Sequence, residues 1–146
     1  MKKRNIIITL LAIALTFGMA SCNKIEKTII GTWVSGNTTA LEGEFEASEF
    51  DGTTFTFNDN KTVAASINAE EGVMSLNGTY SIDGDKLNMV FEQAMGPVSA
   101  KVNFDMDVTK NSKTSLTLSG SMTTTVSGGG MNESDLVKLK TTLTKK

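Results

Sequence analysis

The stretch Val98-Ser99-Ala100-Lys101-Val102-Asn103-Phe104-Asp105-Met106-Asp107-Val108 decides the fold. Val98, Ala100, Val102, Phe104, Met106 and Val108 alternate without interruption with Ser99, Lys101, Asn103, Asp105 and Asp107. Successive side chains of a strand point to opposite faces, so this run buries one face and wets the other. The same period continues on both sides. Downstream, Leu116, Leu118, Gly120, Met122, Thr124 and Val126 alternate with Ser and Thr. Upstream, the inner rows are Phe55 and Phe57, then Val63, Ala65 and Ile67, then Met74, Leu76, Gly78, Tyr80 and Ile82, then Leu87, Met89 and Phe91.

Short polar segments join these rows. Asn58-Asp59-Asn60-Lys61 and Asp83-Gly84-Asp85 carry the Asn and Gly that accept φ > 0 in hairpin turns, and Thr109 to Lys113 forms a longer polar turn. With strands near 31–36 and 41–50 the count is about eight. The expected fold is all-β, an antiparallel up-and-down barrel, because closure removes the two exposed sheet edges. An open sandwich is the alternative. At the C-terminus, Asn132 can cap a short helix through Leu136, Leu139, Lys140 and Leu143 after a flexible Gly128-Gly129-Gly130 break. Val137, Leu139, Thr141 and Leu143 also fit a strand; the helix is the expectation.

Composition removes most chemistry. The 146-residue chain has 14 basic and 16 acidic residues, no His and a single Cys. Without His there is no Ser-His-Asp or Cys-His catalysis and no His-ligated metal. One Cys makes neither an internal disulfide nor a Cys-rich zinc site. The triple glycine lacks the Lys-Ser/Thr of a phosphate loop, and no basic stripe offers itself to nucleic acid. No cofactor, no metal and no enzymatic activity are expected.

The N-terminus reads as a targeting segment and not as fold. Met1-Lys2-Lys3-Arg4 is charged, Ile6 to Phe17 is apolar apart from Thr9 and Thr16, and Gly18-Met19-Ala20-Ser21 supplies small residues before Cys22. That order is the secretory signal pattern, and the apolar run is shorter than the about 20 residues of a membrane span. Met19-Ala20-Ser21-Cys22 resembles a bacterial lipobox, which implies cleavage after residue 21 and lipid attachment at Cys22. By the same resemblance, Asn23 lacks the Asp that retains lipoproteins at the inner membrane. The expected location is the outer membrane, facing the periplasm with the cell surface as the alternative, and residues 22–30 are the anchor and lead-in. Removing residues 1–21 takes away Lys2, Lys3 and Arg4 and no acid, which leaves 125 residues with a net charge of −5. Ser and Thr supply 30 of those 125 residues, a composition suited to half-buried strands.

Three segments carry a family resemblance: Ile29-Ile30-Gly31-Thr32-Trp33-Val34, Thr54 to Val63, and Gly78 to Leu87 with its Gly-Thr-Tyr start. Together they resemble the lipocalin-like domain of Gram-negative lipoproteins, over residues 28 to about 118. The resemblance implies a calycin-type barrel; the barrel domain is expected to span residues 31–146. Gly31 lets the incoming chain lie close to the barrel floor where a Cβ would collide. Trp33 is large enough to plug that end, and its indole N–H needs a partner there.

An eight-stranded barrel has room for its own side chains or for one small ligand. The candidate cavity residues are Phe45, Phe55, Phe57, Met74, Tyr80, Met89, Phe91, Phe104, Met106 and Met122, interspersed with Gly43, Ala65, Gly78, Ala100 and Gly120. Adaptable Met beside small residues leaves space for an apolar or amphipathic molecule. The plain alternative is a fully packed core. Glu42, Glu44 and Glu46 alternate along one expected strand face near Glu49 and Asp51, and they read first as a solvated, edge-protecting face. With exposed Val90 and Phe50, that face motivates a second expectation, an envelope interaction protein that binds a partner on its outer wall. Cys22→Ser is expected to abolish incorporation of labelled fatty acid and to move the protein from the membrane to the soluble fraction; unchanged labelling would overturn the anchor.

Overall fold

A computed structural model describes residues 25–146; the expected signal segment 1–21 and Cys22 lie outside them. Residues 25–29 are helical (α1). Eight strands follow: β1 Gly31–Glu42, β2 Thr54–Phe57, β3 Thr62–Ala69, β4 Gly72–Asp83, β5 Lys86–Met95, β6 Val98–Ser112, β7 Ser115–Gly128 and β8 Met131–Lys145, with one helical turn, α2 Ala47–Phe50, between β1 and β2. Each strand pairs antiparallel with its sequence neighbour, and β1 pairs with β8, so the sheet is a closed up-and-down barrel. The central run spans the wall as anticipated. Phe104, Met106 and Val108 are buried, while Asp105, Asp107 and Lys101 face out.

Two expectations are corrected. Residues 131–145 form a strand, not a helix. Gly128, Gly129 and Gly130 all take positive φ and turn the chain tightly, which sets Met131 opposite Gly128 and Asn132 opposite Ser127. Val137, Leu139, Thr141 and Leu143 then face inward and are buried. Without β8, the edges of β1 and β7 would both be open, and pairing them outweighs one capped helical turn. The second correction concerns β1, which runs unbroken to Glu42; residues 43–53 are a connection, not a strand. Glu44 and Glu46 therefore share no strand face with Glu42. Glu42 itself pairs with Lys138 on β8 at 2.8 Å, and that hydrogen bond holds its carboxyl below the usual range.

The barrel has two different ends. β1 starts at one end, the floor, so the turns at 58–61, 84–85 and 113–114 lie there too, whereas those at 70–71, 96–97 and 129–130 lie at the mouth. The floor is plugged. Trp33 is fully buried and its indole N–H donates to Ile29 O at 2.7 Å, while Ile29 is itself fully buried. Lys145 lies over the Trp33 ring, 5.3 Å from its centre, and donates to Thr28 O at 3.3 Å. An ion pair between Lys61 and Glu26 ties α1 down from the other side. Gly31 serves this end through its φ of +126°, which L side chains rarely adopt. The expected collision is a lesser matter, since an added Cβ would meet only the mobile end of Lys145.

Tyr80 completes the floor. Its ring stands edge-on to Phe57 at 5.1 Å, and its hydroxyl donates to Asn58 O at 2.6 Å. Burial pushes its phenol above the ordinary value, against a smaller opposing pull from Lys61. The hydrogen bond that Lys61 donates to Glu26 holds its ammonium protonated above its own usual range. Both groups bind their proton more tightly folded than unfolded. Their contribution to stability is complete below the unfolded values of about 10 and is lost as pH rises through the folded ones. Tyr80 is the chain's single tyrosine. Tyrosinate absorbance should therefore titrate at higher pH in the native protein than in urea; equal midpoints would refute a buried, bonded phenol.

Candidate functional site

The wall is incomplete at the mouth. β2 has only four residues and its pairing with β1 ends at Val34↔Thr54, so no strand lies beside the upper part of β1 on that side. Residues 43–53 fill the gap. They are clamped to β1: Ser35 N donates to Thr53 O at 2.9 Å, Gly52 N to Ser35 O at 2.8 Å, and the buried Ser35 hydroxyl to Phe50 O at 2.5 Å. Thr38 N reaches Asp51 Oδ1 at 2.9 Å. Because the segment is held by its backbone and by Ser35, its aromatic side chains are free to turn into the barrel.

Phe50 does so. Its ring lies 5.9 Å from Phe55 and 6.1 Å from Phe104, and Phe104 meets Phe91 edge-on at 6.0 Å. Under Phe45 and Phe50 lies a cavity of about 210 Å³. Its walls are Phe55, Ala65, Ile67, Leu76, Phe91, Val102, Phe104 and Met122, with Glu49, Thr53 and Thr124 as the polar members. An engineered apolar cavity of about 150 Å³ holds benzene, so this space accepts a single ring or a short alkyl chain. Thr53 is 2% exposed, and its hydroxyl has no hydrogen-bond partner among the described residues. A buried hydroxyl without a partner carries an uncompensated desolvation cost. Of the chamber's polar members it is the one that is fully buried without a partner among the described residues.

The expected cavity residues divide into three groups. Phe45, Phe55, Phe91, Phe104 and Met122 line the space. Phe57, Tyr80, Met89 and Met106 are buried outside its lining and pack the core. Met74 is half exposed at the β3–β4 tip and takes no part, because the β4 rows above Leu76 rise past the barrel's packed interior. Among the small residues only Ala65 lines the cavity; Gly43, Gly78, Ala100 and Gly120 do not.

Phe50, expected to be exposed for a partner, turns inward, and Val90 is half-buried in the wall. Glu49 and Thr53 were not legible as site residues, since neither lies on a strand row. Their signal is indirect: a polar stretch too rich in acid to be a core strand, flanked by Phe45, Phe50 and Phe55.

These features define a barrel plugged at one end and hollow below the other. No family model, curated protein or solved structure matches this chain.

Thr53→Val keeps the shape and removes the unpartnered hydroxyl. It is expected to raise the stability of the ligand-free protein by about 1 kcal/mol, read as a higher urea midpoint; a lower midpoint would mean that the hydroxyl has a partner after all.

Proposed function

We propose that the protein is a non-catalytic binding barrel that holds one small apolar or amphipathic molecule at its mouth, tethered to the envelope through a lipid on Cys22. The observation that carries this reading is the 210 Å³ chamber under Phe45 and Phe50, lined by three further phenylalanines, in a barrel whose opposite end is closed by Trp33. A concave, largely apolar space with a few polar groups at one side is the usual form of a small-molecule site. A core packed for stability alone would not keep it, because such voids forfeit dispersion contacts.

The lipocalin-like lipoprotein reading fits this layout. Cys22 stands three residues before α1, and α1 lies under the floor. A lipid there would set the plugged end toward the bilayer and turn the mouth away from it, toward the periplasm for an outer-membrane protein. Lys27, Lys110, Lys113 and Lys146 belong to the floor end, where an anionic lipid surface would attract them.

A second reading, an envelope protein that docks a partner, draws on Leu41, Val73, Met74, Met95 and Met131. These exposed apolar side chains gather on the strand ends around the mouth. The chamber favours the first.

Titration with toluene, followed by methyl NMR, checks it. Shifts are expected at Ala65, Ile67, Leu76, Val102 and Met122, but not at Ile29 or Leu116. Ala65→Leu, which extends the side chain into the open space, should abolish them while leaving the folded spectrum intact. An unmoved spectrum at saturating toluene would sink the binding reading.

A further inference from the structure

The chamber's polar members and the charges around its opening constrain the ligand further. Glu49 lines the chamber from α2, one turn of chain above Thr53, whose amide donates to Phe50 O at 3.2 Å. Thr53 Oγ1 is buried and unpartnered among the described residues, and it belongs to the same lining. A hydroxyl accepts as well as donates, so it can receive an N–H. A carboxylate only accepts, and it attracts positive charge.

The surroundings have the same sign. Glu44 and Glu46 lie in the connection that carries Glu49, and Glu70 and Glu71 form the neighbouring β3–β4 turn. Two bases among the described residues stand at this end, both on the outer wall and outside the chamber's lining. Lys138 is bonded to Glu42, and Lys101 stands opposite Glu92 on the wall. A low-dielectric chamber opening beside charges of one sign concentrates the opposite charge and repels its own. A carboxylate or phosphate headgroup would therefore meet repulsion at the mouth, and a neutral chain would gain nothing from it.

We infer that the chamber takes a cationic amphiphile: a short alkyl chain or single ring lying among Phe55, Phe91, Phe104 and Ala65, ending in a protonated amine between Glu49 and the Thr53 hydroxyl. The inference rests on the reading that the chamber binds a ligand, and it names the ligand's class. Chain burial supplies affinity in proportion to the apolar area covered. The ammonium stays at the chamber's edge, where Glu49 is still exposed to solvent, so it avoids the full cost of burying a charge.

Isothermal titration at neutral pH with octylammonium, octan-1-ol and octanoate separates the two claims, since the three share one chain and differ in head charge. Octylammonium is expected to bind about tenfold more tightly than octanoate, with octanol between them. Added salt should narrow the gap, because exposed charges are screened. Glu49→Gln should bring octylammonium close to octanol while leaving octanol itself unchanged. Thr53→Val should weaken octylammonium more than it weakens octanoate.

Octanol binding with octanoate equal to or tighter than octylammonium overturns the cationic inference and leaves the binding reading standing. A preference for octylammonium that survives Glu49→Gln unchanged overturns the placement of the ammonium. If none of the three binds, both readings fall.

Discussion

The pairing of β1 with β8 is the contact on which the rest of the molecule depends. It joins residues 31–42 to residues 138–145 across almost the whole chain, from Trp33↔Lys145 to Glu42↔Lys138. Without it the sheet would have two long edges with unpaired N–H and C=O groups. It also sets the floor. Lys145 reaches the Trp33 ring and Thr28 O only because β8 ends beside β1, and Lys146 N then bonds Thr32 O. Closure thus completes a plug whose first hydrogen bond, Trp33 to Ile29 O, is local.

Closure over strands of unequal length produces the asymmetry between the ends. β6, β7 and β8 have 14 or 15 residues, and β2 has four. Where the short strand stops, a backbone-clamped connection takes over the wall. A segment held at its backbone can tilt side chains inward without obeying the strict alternation of a strand. Phe50 packs onto the core from there, and Glu49 and Thr53 enter the lining of the space beneath it. The polar character of the chamber and its location at the mouth thus have one cause, the early end of β2.

The aromatic residues serve both ends. Phe57 and Tyr80 pack edge-on low in the barrel, and Phe55, Phe91 and Phe104 continue the array upward, with Phe55 and Phe57 stacked at 6.3 Å. Such pairs add about 0.5–1.5 kcal/mol each beyond their buried area. The same array thus packs the lower barrel and forms the chamber's wall above it.

Alternation by itself determined the class of fold, the places of β3 to β7 and the inner rows, because the period-two rule acts on each strand locally. It missed the lower end of β6, where Thr109 to Ser112, expected as a turn, continue the strand. The need for Trp33 to find a hydrogen-bond partner was also legible, since an indole N–H cannot be buried alone. The fate of residues 131–145 was not, because Val137, Leu139 and Leu143 satisfy both periods and only a vacant edge opposite β1 chooses between them. Nor was the division of the expected cavity residues. Phe57, Met89 and Met106 alternate as regularly as Phe55, Phe91 and Phe104 do, and depth along the barrel axis is a property of register and strand length that no single strand records. Glu49 and Thr53 lie outside every periodic run. Only the tertiary structure brings them to the chamber, because it alone decides where a connection must stand in for a missing strand.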